Sequence, residues 1–130
     1  MNYNQIGILL GICAIAFLGI TLKKVNNPYI RGIWKSGLLV FVLYAALLIY
    51  VEIRWQFISD YVSKYDVNGN GFVDLNEYSD QAIGAMNKMT SSAKEKSYAA
   101  LTMAAFSSII GFAYLVSDWA VTHFKNKEQK

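Results

Sequence analysis

Residues 33–53 read IWKSGLLVFVLYAALLIYVEI, and the reading of this run decides the fold. Its apolar residues are continuous rather than alternating, which argues against a half-buried strand. A helix needs about 20 residues to cross the hydrocarbon core of a bilayer, and this run has that length. Working outward, two similar runs flank it: IGILLGICAIAFLGITL at 6–22 and YAALTMAAFSSIIGFAYLVSDWAV at 98–121. Inside lipid the backbone finds no water to bond, so only helices and closed barrels satisfy their own N–H and C=O groups. The expected fold class is an all-α membrane protein with three transmembrane helices. Residues 1–130 form one membrane domain, with an insert at about 54–90 between the second and third helices.

Composition agrees with this. Hydrophobic residues make up 55% of the 130 and charged residues 16%, against about 25% charged in a soluble domain. The formal net charge of +3 is small and its basic residues form no single face, so a nucleic-acid partner is not expected. A lone cysteine, Cys13, excludes an internal disulfide and a Cys-based metal cluster, and reads as a small buried hydrophobe. With one histidine, His123, read as a solvated interfacial residue, the chain is poorly equipped for acid–base or nucleophilic catalysis. No catalytic triad, phosphate-binding glycine loop or dinucleotide fingerprint is present, and an enzyme is not expected.

Lys and Arg accumulate on the cytoplasmic side of membrane spans. The first connection carries Lys23, Lys24 and Arg31, with Lys35 just inside the next span, and the tail carries Lys125, Lys127 and Lys130. Both are expected to be cytoplasmic. Three spans then place the N-terminus and the mildly acidic connection at 52–97 outside, in a periplasmic, extracellular or luminal space. The first span is expected to be a retained anchor. Its leading MNYNQ has no positive charge, and bulky Ile12 precedes Cys13 where a lipoprotein signal needs a small residue.

No Gly or Pro interrupts the chain from the second span to residue 65. One helix is therefore expected from about 35 to 65, carrying Phe57, Ile58, Tyr61, Val62 and Tyr65 on one apolar face. There the chain changes character: residues 66–77 read DVNGNGFVDLNE. This stretch resembles the EF-hand calcium loop, matching every fixed position of D-x-[DN]-x-[DN]-G-x5-E with Asp66, Asn68, Asn70, Gly71 and Glu77. The resemblance covers these 12 residues and the flanking helices only. It implies Ca2+ as the ligand, a hard cation that takes six to eight oxygens. By the same resemblance Asp66, Asn68 and Asn70 offer side-chain oxygens, Phe72 its carbonyl, Asp74 a direct or water-bridged ligand, and Glu77 both carboxylate oxygens. Gly71 permits the positive-φ turn. The exiting helix, with Leu75, Tyr78, Ala82, Ile83 and Met86, is expected to be shorter and less secure because of Gly84 and its polar surroundings. EF-hands work in pairs joined at the eighth loop position, here Val73. With no second loop in this chain, a second copy or another protein is expected to cover that edge.

Small residues stripe the first span (Gly7, Gly11, Gly19) and the third (Ala100, Ala104, Ser107, Ser108, Gly111). Such stripes let membrane helices approach closely, within or between protomers. Asp118 is expected at headgroup level, paired with Lys35 or Lys125, or else in an acidic ring at a pore mouth. Trp34 marks the inner interface, and Glu52, Arg54 and Trp55 the outer one. These features together predict a small integral membrane calcium-binding protein, a regulatory or accessory subunit in a homo-oligomer or larger membrane complex. A homo-oligomeric channel or transport component gated by external calcium is the alternative.

Overall fold

The computed structural model describes residues 1–130 as three α-helices without a strand: α1 (Tyr3–Leu22), α2 (Pro28–Ser63) and α3 (Asp80–Glu128), with a single 3₁₀ turn at Leu75–Glu77. Each start is written locally. Asn2 caps α1 by accepting from the Gln5 N–H, while the Gln5 side chain accepts from the Asn2 N–H. Asn27 caps α2 ahead of Pro28, whose fixed φ suits a first helical position. Ser79 caps α3 by accepting from the Ala82 N–H at 3.1 Å.

All three helices are long and apolar enough to cross a membrane. At 1.5 Å per residue, α2 and α3 run to about 54 and 74 Å, well beyond the roughly 30 Å of a hydrocarbon core. The surface matches apolar surroundings. Only 15 of 130 residues are buried, while Leu9, Phe17, Leu101 and Phe112 are more than half exposed. Cys13 also lies on this exposed surface of α1 rather than in a core.

The long α2 is as expected, beginning earlier at Pro28. The exiting segment is not. It is no short, separate helix but the first part of α3, which continues unbroken through the third span. The reason is a stripe of buried small residues, Ala82, Ala85, Ser92, Ala99, Ser107 and Gly111, which keeps one face of α3 against α2 throughout. Gly84 has open space around it and does not interrupt the helix.

α2 and α3 are antiparallel, and α2 also carries α1. Glu52 pairs with Lys96, Arg54 with Glu95, and Ser36 Oγ donates to the Gly111 carbonyl at 2.6 Å. A Cβ on Gly111 would collide with Val40, so the backbones approach where only glycine fits. Gly7 and Gly11 seat α1 on Tyr44, Ala45 and Leu48, within the chain, whereas Gly19 touches nothing within 4 Å. Asp118 pairs with neither Lys35 nor Lys125; the chain's two ion pairs lie at the other end of the spans. Its carboxylate lies where a Gly32 side chain would be, and neither lysine ammonium comes within ion-pair reach.

Polar residues close both ends of the bundle. At the loop end, Asn4 is 3% exposed and its Nδ2 donates to the Lys96 carbonyl at 3.2 Å, while Asn2 Nδ2 donates to Glu52. At the opposite end, Trp34 Nε1 donates to Thr21 Oγ1 at 2.7 Å and Trp119 Nε1 to the Tyr29 carbonyl at 3.1 Å.

Two buried serines in this interface differ in one respect. Ser36 has its partner, while Ser107, fully buried, has a hydroxyl with none. An unmade bond in a dry interface costs about 1–3 kcal/mol. Thermal unfolding in mild detergent is expected to show Ser107→Ala equal to or more stable than the parent, and Ser36→Ala less stable by about 1 kcal/mol.

Candidate functional site

The loop at 66–77 caps the helical hairpin made by the polar ends of α2 and α3. Its backbone follows its glycines: Gly69 (φ +70°) and Gly71 (φ +89°) occupy the left-handed region that side chains with a Cβ disfavour. Gly71 was expected there from the pattern. Gly69 was not, although the repeated Asn-Gly of NGNG carries the signal for it.

These two turns aim N–H groups inward. Asp66 Oδ1 accepts from Gly69 at 3.0 Å and its Oδ2 from Gly71 at 2.7 Å. Glu77 reaches back across the loop, accepting from the Asn68 N–H through Oε1 and from the Asp74 N–H through Oε2, both at 3.0 Å. Asp74 Oδ2 accepts from the Nδ2 of both Asn68 and Asn70 at 2.8 Å each. The Oδ1 atoms of those amides take the N–H groups of Asn70 and Phe72. Asn68, Asn70, Asp74 and Glu77 thus form one network, Asp66 is held beside it by two glycine N–H groups, and each carboxylate accepts two N–H groups. Neither ion pair of the chain lies in the loop, so no basic side chain compensates these three charges.

The donor set suits a hard cation in kind: three carboxylates, two amide oxygens and the Phe72 carbonyl, with no sulfur or imidazole. The arrangement is not a formed cage. No three acidic, His or Cys side chains gather around one point. The amides of Asn68 and Asn70 turn their nitrogens toward Asp74, and a half-turn of each would present oxygen instead.

The flanking faces differ from expectation. Ile58 and Val62 are buried, but Phe57 is 72% exposed, and Leu75, Tyr78 and Ile83 are exposed as well. Ala82 and Ala85 take the inner positions, because close helix approach selects small side chains over large ones. Val73 forms no strand. With Val62, Phe72, Met86 and Met89 it lines a cleft of about 430 Å³ directly under the loop. At the last turn of α2, Tyr61 and Tyr65 meet edge to face with their hydroxyls 3.2 Å apart. The hydrogen bond that the Tyr65 hydroxyl makes to Tyr61 holds it above the usual phenol range, because the bond favours the protonated form.

Sequence reasoning named Glu52, Arg54 and Trp55 as interface markers but missed their partners. Lys96 pairs with Glu52 at 3.2 Å and lies 5.0 Å over the Trp55 ring, and Arg54 meets Glu95 at 3.5 Å. The signal was the hairpin register, which the loop length sets only once α3 is known to be continuous. No family model, curated protein or solved structure matches the chain.

The left-handed turn at Gly71 is testable. Gly71→Ala is expected to loosen the loop by about 1 kcal/mol or more, read as faster hydrogen exchange at the Gly69 and residue-71 amides. Gly84→Ala, in open helix, is expected to leave that exchange unchanged.

Proposed function

We propose that this chain is a small integral membrane protein that binds calcium at residues 66–77 and serves as a regulatory or accessory subunit. The observation that carries the reading is the loop's electrostatics. Asp66, Asp74 and Glu77 each accept two N–H donors within one glycine-turned loop, and none of them is in an ion pair. Oxygens of Asp66, Asn68, Asn70, Phe72, Asp74 and Glu77 would hold the ion, as the EF-hand resemblance implies. Bound calcium would supply the positive charge that relieves carboxylate repulsion across the loop.

The regulatory part rests on continuity. The loop joins α2 to α3, and both run without a break into apolar spans. A change in how far apart the loop holds its two ends is therefore transmitted along stiff helices. The effect can be no larger than the difference in ligand affinity between the two arrangements. In this reading the Lys/Arg bias places the N-terminus and the loop outside and the C-terminus in the cytoplasm. Oligomer partners, or a second loop paired through Val73, belong to the same proposal.

Titration calorimetry of the purified protein is expected to show one calcium site that disappears in Glu77→Gln and in Asp66→Ala; equal binding by all three proteins overturns the assignment. With calcium, hydrogen-exchange protection is expected from 61 to 86 and onward past 98 into the third span. Protection that stops at the loop and its flanking turns reduces calcium to a local staple.

Topology has its own test. In a Cys13→Ala background, a membrane-impermeant thiol reagent applied from outside is expected to label Ser91→Cys and not Gln129→Cys, both exposed positions. The reverse pattern turns the loop toward the cytoplasm.

A further inference from the structure

Where α2 and α3 leave their apolar spans at the loop end, a groove of about 420 Å³ opens between them. Leu47, Val51, Ala99 and Met103 line its apolar part, and Arg54 and Glu95 stand at its polar mouth. From Arg54 to Leu47 is seven residues of helix, so the groove descends about 10 Å along the apolar span. This size is ordinary for a small-ligand site.

The two ion pairs at this level are not equivalent. Glu52–Lys96 is closed: its side chains are 20–21% exposed, Lys96 lies over Trp55, and Asn2 also donates to Glu52. Arg54–Glu95 is open, at 3.5 Å with side chains 49% and 61% exposed, and has no further partner. An exposed pair of this kind contributes little to stability. Its two charges are available to a ligand carrying the complementary pair.

We infer that this groove binds a phospholipid with a phosphoethanolamine headgroup, from the leaflet at the loop end of the spans. The phosphate accepts from the Arg54 guanidinium, whose planar fork suits phosphate oxygens. The ammonium donates to the Glu95 carboxylate, and one acyl chain follows Val51, Leu47 and Met103 into the apolar span. A choline headgroup carries the same charges but no N–H donor for Glu95. A glycerol headgroup leaves a net negative charge beside Glu95. The site therefore selects among lipids that share the same tails. The inference rests on the membrane-spanning reading of the chain and not on calcium binding.

The full chain in mild detergent, titrated with phosphatidylethanolamine, phosphatidylcholine and phosphatidylglycerol of identical acyl chains and read by native mass spectrometry, tests it. One retained phosphatidylethanolamine is expected, preferred about tenfold over each of the others. Arg54→Gln and Glu95→Gln are each expected to erase that preference, while Glu52→Gln at the closed pair keeps it. Equal retention of the three lipids overturns the proposal, as does a preference that survives both variants or a stronger hold on the anionic lipid. Alkaline carbonate washing of membranes separates the two readings. A chain that washes off overturns the membrane reading and this one together, whereas a chain that stays but retains lipids equally overturns this one alone.

Discussion

The close approach of α2 and α3 is the constraint on which the rest depends. Lipid tails are as apolar as leucine, so helices in a bilayer gain little by hiding apolar side chains from their surroundings. They associate through packing and through bonds that lipid cannot offer. Here Gly111 leaves no room for a Cβ against Val40, and the Ser36 hydroxyl reaches the Gly111 carbonyl across the gap. Ala82, Ala85, Ser92, Ala99 and Ser107 continue the same narrow face from Gly111 toward the loop. Large side chains are turned outward as a consequence, which explains why Phe57, Leu101 and Phe112 are exposed.

Close packing along one line leaves the ends to be fixed by other means. Each end uses polar groups that pair across helices. Asn4 joins α1 to the Lys96 carbonyl, and Glu52, Lys96 and Trp55 form one cluster around it. At the far end two tryptophans reach a hydroxyl and a carbonyl of neighbouring segments. Tryptophan suits this position because its ring is apolar and its N–H needs a partner.

The loop at 66–77 is built on the opposite principle. It buries little and is held by hydrogen bonds alone, with three carboxylates each shared between two N–H donors. Such a loop is soft compared with the hairpin beneath it, because the chemistry that orders it is local while the helices are packed over their whole length. A soft, negatively charged element seated on two stiff ones is the arrangement that the proposed calcium response requires.

Periodicity and length in the sequence by itself determined three long apolar helices, because a run of apolar residues of that length has few other stable forms. They also determined the unbroken α2, since nothing between the second span and Tyr65 can stop a helix, and the left-handed turn at Gly71, which only glycine takes without strain. The carboxylates and amides of the candidate site were legible for the same reason: their spacing is local. Tertiary structure alone decided which faces meet. Sequence spacing favoured Phe57, Tyr61, Leu75 and Ile83 for the inner face, because amphipathic patterns are read by hydrophobicity. Of that pattern the packed hairpin keeps Ile58, Val62 and Ala82 inside and otherwise seats alanine, serine and glycine, because backbone approach is limited by volume. The continuity of α3, the Ser36–Gly111 bond, the two unequal ion pairs and the groove under Arg54 all follow from that register, which no single helix carries in its own sequence.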